Sequence, residues 1–292
     1  METVLKGRKG VVRIAPELPT VLISKPVNPT RRKRLIDEWA AGNIEIARNE
    51  ALAQVAAGAD VVDVNVGVVG KERALLLPRA VEVIQEVVEV PLSIDTPDPE
   101  ALAAALKVYQ GKPLVNSVSG EEKSLRQVLP LVAEYGAAVI GLCVDEHGIP
   151  DDPVGRVEIA RKIVERAEDM GIPREDILIN CMTMPLEGNH RAALTTLETI
   201  RLVRSELGVN MTLDASNISF DLPNCDALGL TFLAVAIAAG VNAPIVNVAQ
   251  ARQTIVSLDL LLGRDGFAMR YIKYYHFRRS GMRGLVDWEL VD

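Results

Sequence analysis

Residues 43–66, NIEIARNEALAQVAAGADVVDVNV, decide the fold. The first part sets Ile44, Ala47, Ala51 and Val55 on one stripe at a period near 3.6, which predicts a helix over 43–57. The second part, 61–66, is β-branched and apolar except for Asp63 and Asn65, and Gly67 follows it; this predicts a short buried strand.

The same unit recurs outward in both directions. Runs at 20–25, 61–66, 92–95, 114–117, 138–144, 177–180, 211–214 and 245–248 give eight predicted strands. Helices are predicted at 43–57, 99–109, 154–170, 194–207 and 227–239. Pro99 suits a helix start, where its missing donor costs nothing. Gly171-Ile172-Pro173, Gly208 and Gly240 supply stops. Such alternation implies a parallel sheet with right-handed crossovers. Eight beats favour a closed barrel over an open doubly wound sheet.

The expected architecture is a single (β/α)8 TIM barrel over 19–263. An N-terminal extension, 1–18, is expected to form a hairpin over the barrel bottom. A tail, 264–292, holds Tyr271, Tyr274, Tyr275, Phe277 and Trp288 and is expected to pack on the barrel or at a subunit interface. No Gly/Ser-rich linker divides the chain.

Composition narrows the function classes. The 292 residues are 49% hydrophobic but only 4% aromatic, a bias that suits parallel strands buried on both faces. A net charge of -7 argues against nucleic acid or an anionic membrane as partner. The N-terminus lacks the pattern of a signal peptide, and the apolar runs are too short to span a bilayer. Cys143, Cys181 and Cys225 show no metal or redox spacing and are expected to be small buried residues in a reducing cytosol. The expected compartment is cytoplasmic.

In barrels of this kind the site is built at the C-terminal ends of the strands. Reading those positions gives Asn28 after the first strand, Asp63 and Asn65 on the second, Asp95 on the third and Asn116 on the fourth. The later strands give Asp145-Glu146, Asn180, Asp214 with Ser216-Asn217, and Asn247 with Gln250. One Asp or Asn after a strand is ordinary turn or capping chemistry. Recurrence at most strand ends is not, because Ser and Thr cap equally well. Carboxylates and amides together match a flat heterocycle with alternating donors and acceptors, such as the pyrimidine edge of a pterin. A metal site is not expected: Asp63, Asp95 and Asp214 lack a supporting ligand motif, and Asp145-Glu146-His147, followed by Gly148 and Pro150, reads as a solvated turn. The Arg31-Arg32-Lys33-Arg34 run reads as a solvated helix start.

At these residues the chain resembles the pterin-binding superfamily that joins dihydropteroate synthase to the methyltetrahydrofolate-dependent methyltransferases. The likeness rests on Asn28-Pro29-Thr30-Arg31-Arg32-Lys33, Gly58-Ala59-Asp60 leading into Val62-Asp63-Val64-Asn65, and Ser93-Ile94-Asp95-Thr96. It continues through Val115-Asn116-Ser117-Val118-Ser119-Gly120, Asp145-Glu146-His147-Gly148-Ile149-Pro150 and Ser216-Asn217-Ile218-Ser219-Phe220. The first and last of these segments look like the methyltransferase branch, including the folate domain of cobalamin-dependent methionine synthase. Dihydropteroate synthases typically carry a phosphate-binding Lys after strand seven and Arg-x-His at strand eight. Here strand eight reads Ile245-Val246-Asn247-Val248-Ala249-Gln250.

The resemblance implies that Asp95 and Asn116 hold a pterin ring, with Asn180, Asp63, Asn65 and Asn28 as further binding residues. It implies that Asn217 lies near N5 of methyltetrahydrofolate and acts in catalysis. Many relatives have Asp in an Asp-Pro-Leu motif at the end of strand six, where this chain has Asn180-Cys181-Met182. The amide forgoes charge assistance worth ~1 kcal/mol. The implied reaction moves a methyl group between methyltetrahydrofolate, which becomes tetrahydrofolate, and the cobalt of a corrinoid. The chain lacks Asp-x-His-x-x-Gly, since Pro150 stands third after His147, so the cobalamin is expected on a partner corrinoid protein. A homodimer is implied as well. The alternatives are dihydropteroate synthase activity and a non-catalytic pterin-binding or corrinoid-docking subunit.

Overall fold

A computed structural model describes residues 1–25, 45–67 and 71–282. Asn28 and the Arg31–Arg34 run lie outside the described residues.

The chain opens with an antiparallel hairpin, β1 (Thr3–Lys6) and β2 (Val11–Ile14). Gly7 and Gly10 turn it against the backbone of Glu89 and Val90, where a Cβ on either would collide with the Glu89 carbonyl. Then come β3 (Ile23–Ser24), α1 (Glu45–Ala57), β4 (Val62–Val64), α2 (Lys71–Val87), β5 (Leu92–Asp95), α3 (Pro99–Val108) and β6 (Leu114–Ser119). The alternation continues through α4 (Glu122–Tyr135), β7 (Ala138–Leu142), α5 (Pro153–Asp169), β8 (Ile177–Asn180), α6 (Ala192–Leu202) and β9 (Asn210–Thr212). It ends with α7 (Cys225–Ala239), β10 (Ile245–Val246), α8 (Val248–Leu261) and α9 (Met269–Met282).

Each of the eight predicted strand regions contains a strand, and each of the five predicted helices is present. Pro99 does start α3, with Asp98 capping it by accepting from Glu100 N–H at 3.0 Å. After α6, residues Val203–Leu207 wind as a π-helix that Gly208 ends in the left-handed region. The (β/α)8 barrel expectation is met in coarser form. Strands β4 to β9 make one six-stranded parallel sheet in sequence order, while β3 and β10 pair in a separate parallel ladder. Single parallel bridges, Ile23 to Val61 and Asp214 to Ile245, link that ladder to the two edges of the large sheet.

Two apolar layers result. The larger lies between sheet and helices and includes Leu77, Ile84, Ile94, Leu102, Val139, Ile163, Ile179 and Ile237. The smaller lies on the other face of the strands, where Ile23, Val61, Leu114, Ile140, Leu178 and Ile245 meet Leu5 and Ile14 of the hairpin. Asn210 ties the hairpin to this face, donating to the Ile14 carbonyl at 2.9 Å and to Thr3 Oγ1 at 2.8 Å. The extension thus seals the end of the sheet where strands begin, and the opposite end is left for a site.

The tail begins with a short 3₁₀ turn, Gly266–Ala268, and α9. Asp265 holds the start of α9 through the N–H groups of Arg270 and Tyr271, and Arg252 of α8 stacks on Tyr274 and Phe277. Phe267 and Leu261 stay exposed beside it. Trp288 lies outside the described residues. Among the described residues, no helix is long and apolar enough to cross a membrane.

Candidate active site

Strand alternation builds the site. Side chains two apart on a strand share a face, so Asp63 and Asn65, Ser93 and Asp95, and Leu114 and Asn116 all lie on the inner face. Register aligns them, with Asp63 opposite Ser93 and Asp95 opposite Asn116. The pattern repeats further round: Leu142 is opposite Asn180, and Asn180 is opposite Thr212. On β6 and β8 the inner position changes from Leu to Asn within two residues, at Leu114 to Asn116 and at Leu178 to Asn180. An apolar floor therefore gives way to a polar rim at the strand C-terminal ends.

Four predicted residues form two hydrogen-bonded pairs side by side, coupled by the charge of Asp95 acting on Asp63. Asn65 donates to Asp95 Oδ2 at 2.8 Å, and Asn116 donates to Asp63 Oδ1 at 3.4 Å. Asn65 also accepts from Gly67 N–H at 2.7 Å, which fixes the orientation of its amide. Both amides give their N–H₂ groups to carboxyls, so both pairs are anchored by acceptors. Asp63 is fully buried with the Ser93 hydroxyl directly opposite it, and the Thr212 hydroxyl has no hydrogen-bond partner among the described residues. An unpaired buried polar atom is costly unless water or a ligand answers it.

Burial, and then the neighbouring Asp95 carboxylate, push the Asp63 pKa well above its ordinary value of 3.8. The folded state therefore binds a proton there more tightly than the unfolded chain. Asp63 contributes stability that is complete below its unfolded pKa and is lost as pH rises through the folded value. Asp63→Asn keeps the shape and stays neutral. It is expected to flatten the fall in urea midpoint as pH rises above the ordinary carboxyl range of about 4 and to raise the midpoint at neutral pH. A slope identical to the parent's would show that Asp63 titrates as an ordinary surface carboxyl.

On the far side of the rim, Asn180 Oδ1 accepts from Met182 N–H at 3.0 Å, in a loop where Met182 sits at φ 52°. That bond directs the amide N–H₂ of Asn180 away from its own loop. Arg156 braces the same loop from α5, donating to the Met182 carbonyl at 2.8 Å, the Cys181 carbonyl at 3.3 Å and the Pro150 carbonyl at 2.8 Å. Beyond β9, residues Ala215–Ser219 form a 3₁₀ turn capped by Asp214, which accepts from Ser216 N–H. Asn217 is exposed on this turn between buried Ala215 and Ile218. The described residues do not connect Asn180 or Asn217 directly to these two pairs; the shared rim relates them.

Several residues of the site escaped sequence reading. Ser93 and Thr212 carry the alternation signal but are not Asp or Asn. Lys25, at the end of β3, reaches Ser216 Oγ at 2.5 Å. Arg156 is buried to 1% exposure on an amphipathic helix of mixed charge. The cysteine expectation needs a correction: Cys143 and Cys181 are buried, but Cys225 is exposed because it begins α7. Burial raises the Cys143 thiol to about 12 and Cys181 well above its ordinary value, so neither is a nucleophile near neutral pH. Asp145-Glu146-His147 forms the expected turn, closed by bonds between Asp145 and Gly148. Among the described residues no three His, Cys, Asp or Glu side chains cluster as a metal site.

The profile of the pterin binding enzymes matches residues 27–247, a span that contains Asp63, Asn65, Asp95, Asn116, Asn180 and Asn217. The chain belongs to the pterin-binding enzyme family. A methylcorrinoid:tetrahydrofolate methyltransferase of Eubacterium limosum is 31% identical over 247 residues, covering 82% of this chain and 89% of the relative. A methionine synthase of Mycobacterium leprae (strain TN) is 29% identical over 243 residues, covering 78% of this chain but only 20% of that much longer protein. Among solved structures, dihydropteroate synthase from Xanthomonas albilineans with 4-aminobenzoic acid superposes with a TM-score of 0.68 at 21% identity, covering 89% of this chain and 98% of that one. The Yersinia pestis dihydropteroate synthase gives a TM-score of 0.67 at 15% identity, covering 90% and 100%. These two likenesses concern the fold.

Proposed function

We propose that this pterin-binding enzyme transfers the N5 methyl group between methyltetrahydrofolate and the cobalt of a corrinoid carried by a separate protein. The observation that carries the reading is the rim cluster of Asp63, Asn65, Asp95 and Asn116, on a chain similar over most of its length to the Eubacterium limosum methyltransferase. In this reading the β3–β10 ladder and its two bridges complete a closed eight-stranded barrel over residues 19–263. The chain acts as a cytoplasmic homodimer, with the tail from 264 onward packed at the barrel side or the dimer interface.

Asp95 accepts from the ring N–H and amino groups, and Asn116 answers the ring alongside it. Asn65 and Asp63 hold those two side chains in register, Asn180 presents its N–H₂ from the opposite side, and Asn28 is a further binding residue. Asn217 serves N5. In the transfer, the Co(I) electron pair forms the new bond to the methyl carbon, the C–N pair returns to N5, and N5 takes a proton. A neutral tertiary amine leaves poorly, so a donor that strengthens its hydrogen bond as the C–N bond breaks lowers the barrier. The Asn217 amide supplies that donor without being a strong acid, and the proton can come from water.

The test is anaerobic. The protein is mixed with methyltetrahydrofolate and Co(I) cobalamin, and the cobalt absorption is followed. Conversion to methylcobalamin is the expected result. Formation of dihydropteroate from p-aminobenzoate and the pterin pyrophosphate would assign the pocket to C–N bond formation instead. Calorimetric binding of the pterin, with the Co(I) spectrum unchanged even when a corrinoid protein is supplied, would leave a binding subunit.

A further inference from the structure

The turn that carries Asn217 is anchored at buried Ala215, Ile218 and Ser219 but loosely bonded at Asn217 itself. It spans five residues, Ala215–Ser219, and the backbone bonds on either side of Asn217, from its own N–H to the Asp214 carbonyl and from Phe220 N–H to its carbonyl, are both 3.4 Å long. Something beyond its own backbone must hold it if one amide is to be aimed at one ring atom.

Lys25 is placed to do so. β10 lies between β3 and β9, with Ile245 and Val246 paired to Ile23 and Ser24 and with Ile245 bridged to Asp214. Lys25 leaves β3 with its N–H bonded to the Val246 carbonyl at 2.9 Å, so its backbone is fixed at the strand end. Its side chain crosses the end of β10, bringing Nζ to 2.5 Å from Ser216 Oγ and 3.4 Å from Asp214 Oδ2. Ser216 closes the ring by donating to Asp214 Oδ1, from its hydroxyl at 2.7 Å and its N–H at 3.0 Å. The ion pair is 39% and 27% exposed, and pairs so open to water add little to overall stability. What this one supplies is geometry, since it ties two strand ends together one residue before Asn217.

We propose that Lys25 is a positioning residue for Asn217: its ammonium, bound to Asp214 and Ser216 across the end of β10, locks the turn so that the Asn217 amide is held at the reacting nitrogen. This rests on the methyl-transfer reading for the role of Asn217, but the locking of the turn can be measured without it.

The experiment compares the full-length parent with Lys25→Met, which keeps the stem and loses the charge, and Lys25→Arg. Two readouts are taken: steady-state transfer from methyltetrahydrofolate to Co(I) cobalamin, and amide hydrogen exchange over residues 215–220. Lys25→Met is expected to lower kcat about tenfold or more, with KM for the pterin shifting less than about threefold, and to speed exchange of the turn by a similar factor. Lys25→Arg is expected to recover most of both losses. Unchanged exchange in Lys25→Met would overturn the proposal, as would a rise in KM that matches the fall in kcat, because that marks a ligand contact. If the parent itself transfers no methyl group, the methyltransferase reading fails, and the exchange comparison alone decides whether Lys25 locks the turn.

Discussion

Asn217→Ala is expected to slow methyl transfer by about 100-fold or more while changing pterin affinity less than about threefold. The asymmetry follows from where the amide acts. A hydrogen bond to N5 is weak while the nitrogen is methylated and gains strength as charge builds during C–N cleavage, so its loss falls on kcat. The variant should keep its turn. The side chain of Asn217 is exposed and makes no hydrogen bond among the described residues, while buried Ala215, Ile218 and Ser219 anchor the segment. Ile218 also accepts from Leu186 N–H at 3.1 Å, which ties the turn to the loop after β8. Stopped-flow cobalt spectra measure the first quantity and calorimetry with tetrahydrofolate the second. Equal losses in both would count against a role at N5 and make Asn217 an ordinary ring contact.

The parts of this site legible in the sequence are those set by alternation. The segments Leu114-Val115-Asn116 and Leu178-Ile179-Asn180 each announce a strand that turns from an apolar residue to an amide on one face, and the inner face follows from a period of two. Asp63 and Asn65, and Ser93 and Asp95, obey the same rule. What stayed hidden depends on partners far along the chain. Nothing around Lys25 announces that it will meet Ser216, 191 residues later. Arg156 sits on α5 among Glu158, Arg161 and Lys162 and reads as a solvent-facing cation. It is buried because the loop after β8 turns its carbonyls toward it. Four helices, α2, α4, α8 and α9, also escape the sequence reading; two of them, α2 and α4, contain Pro78 and Pro130, residues that ordinarily end a helix. The strands at 20–25 and 245–248 are legible from their pattern, but not that they pair over only two residues as a ladder separate from the large sheet.

Asp95→Asn is expected to weaken pterin binding about 100-fold. Asp95 accepts from Asn65 at 2.8 Å, and in the proposed complex it also accepts from the ring. A carboxylate can do both because it is acceptor-only; an amide at this position cannot. If the introduced amide turns its carbonyl to Asn65, its N–H₂ faces ring donors; if it turns round, two N–H₂ groups meet. Either orientation leaves donors opposed, and the charge assistance is gone as well. The substitution also removes the carboxylate that, after burial, most raises the Asp63 pKa, so Asp63 should ionise more readily in the variant. The two positions are therefore coupled, and the loss for Asp63→Asn combined with Asp95→Asn should differ from the sum of the single losses. Native stability offers an internal control. Relieving repulsion between two neighbouring carboxyls should leave the urea midpoint at neutral pH unchanged or higher, so a fall in affinity cannot be put down to unfolding. Tetrahydrofolate binding by calorimetry decides the matter: an affinity within about threefold of the parent would mean that the ring is held elsewhere on the rim.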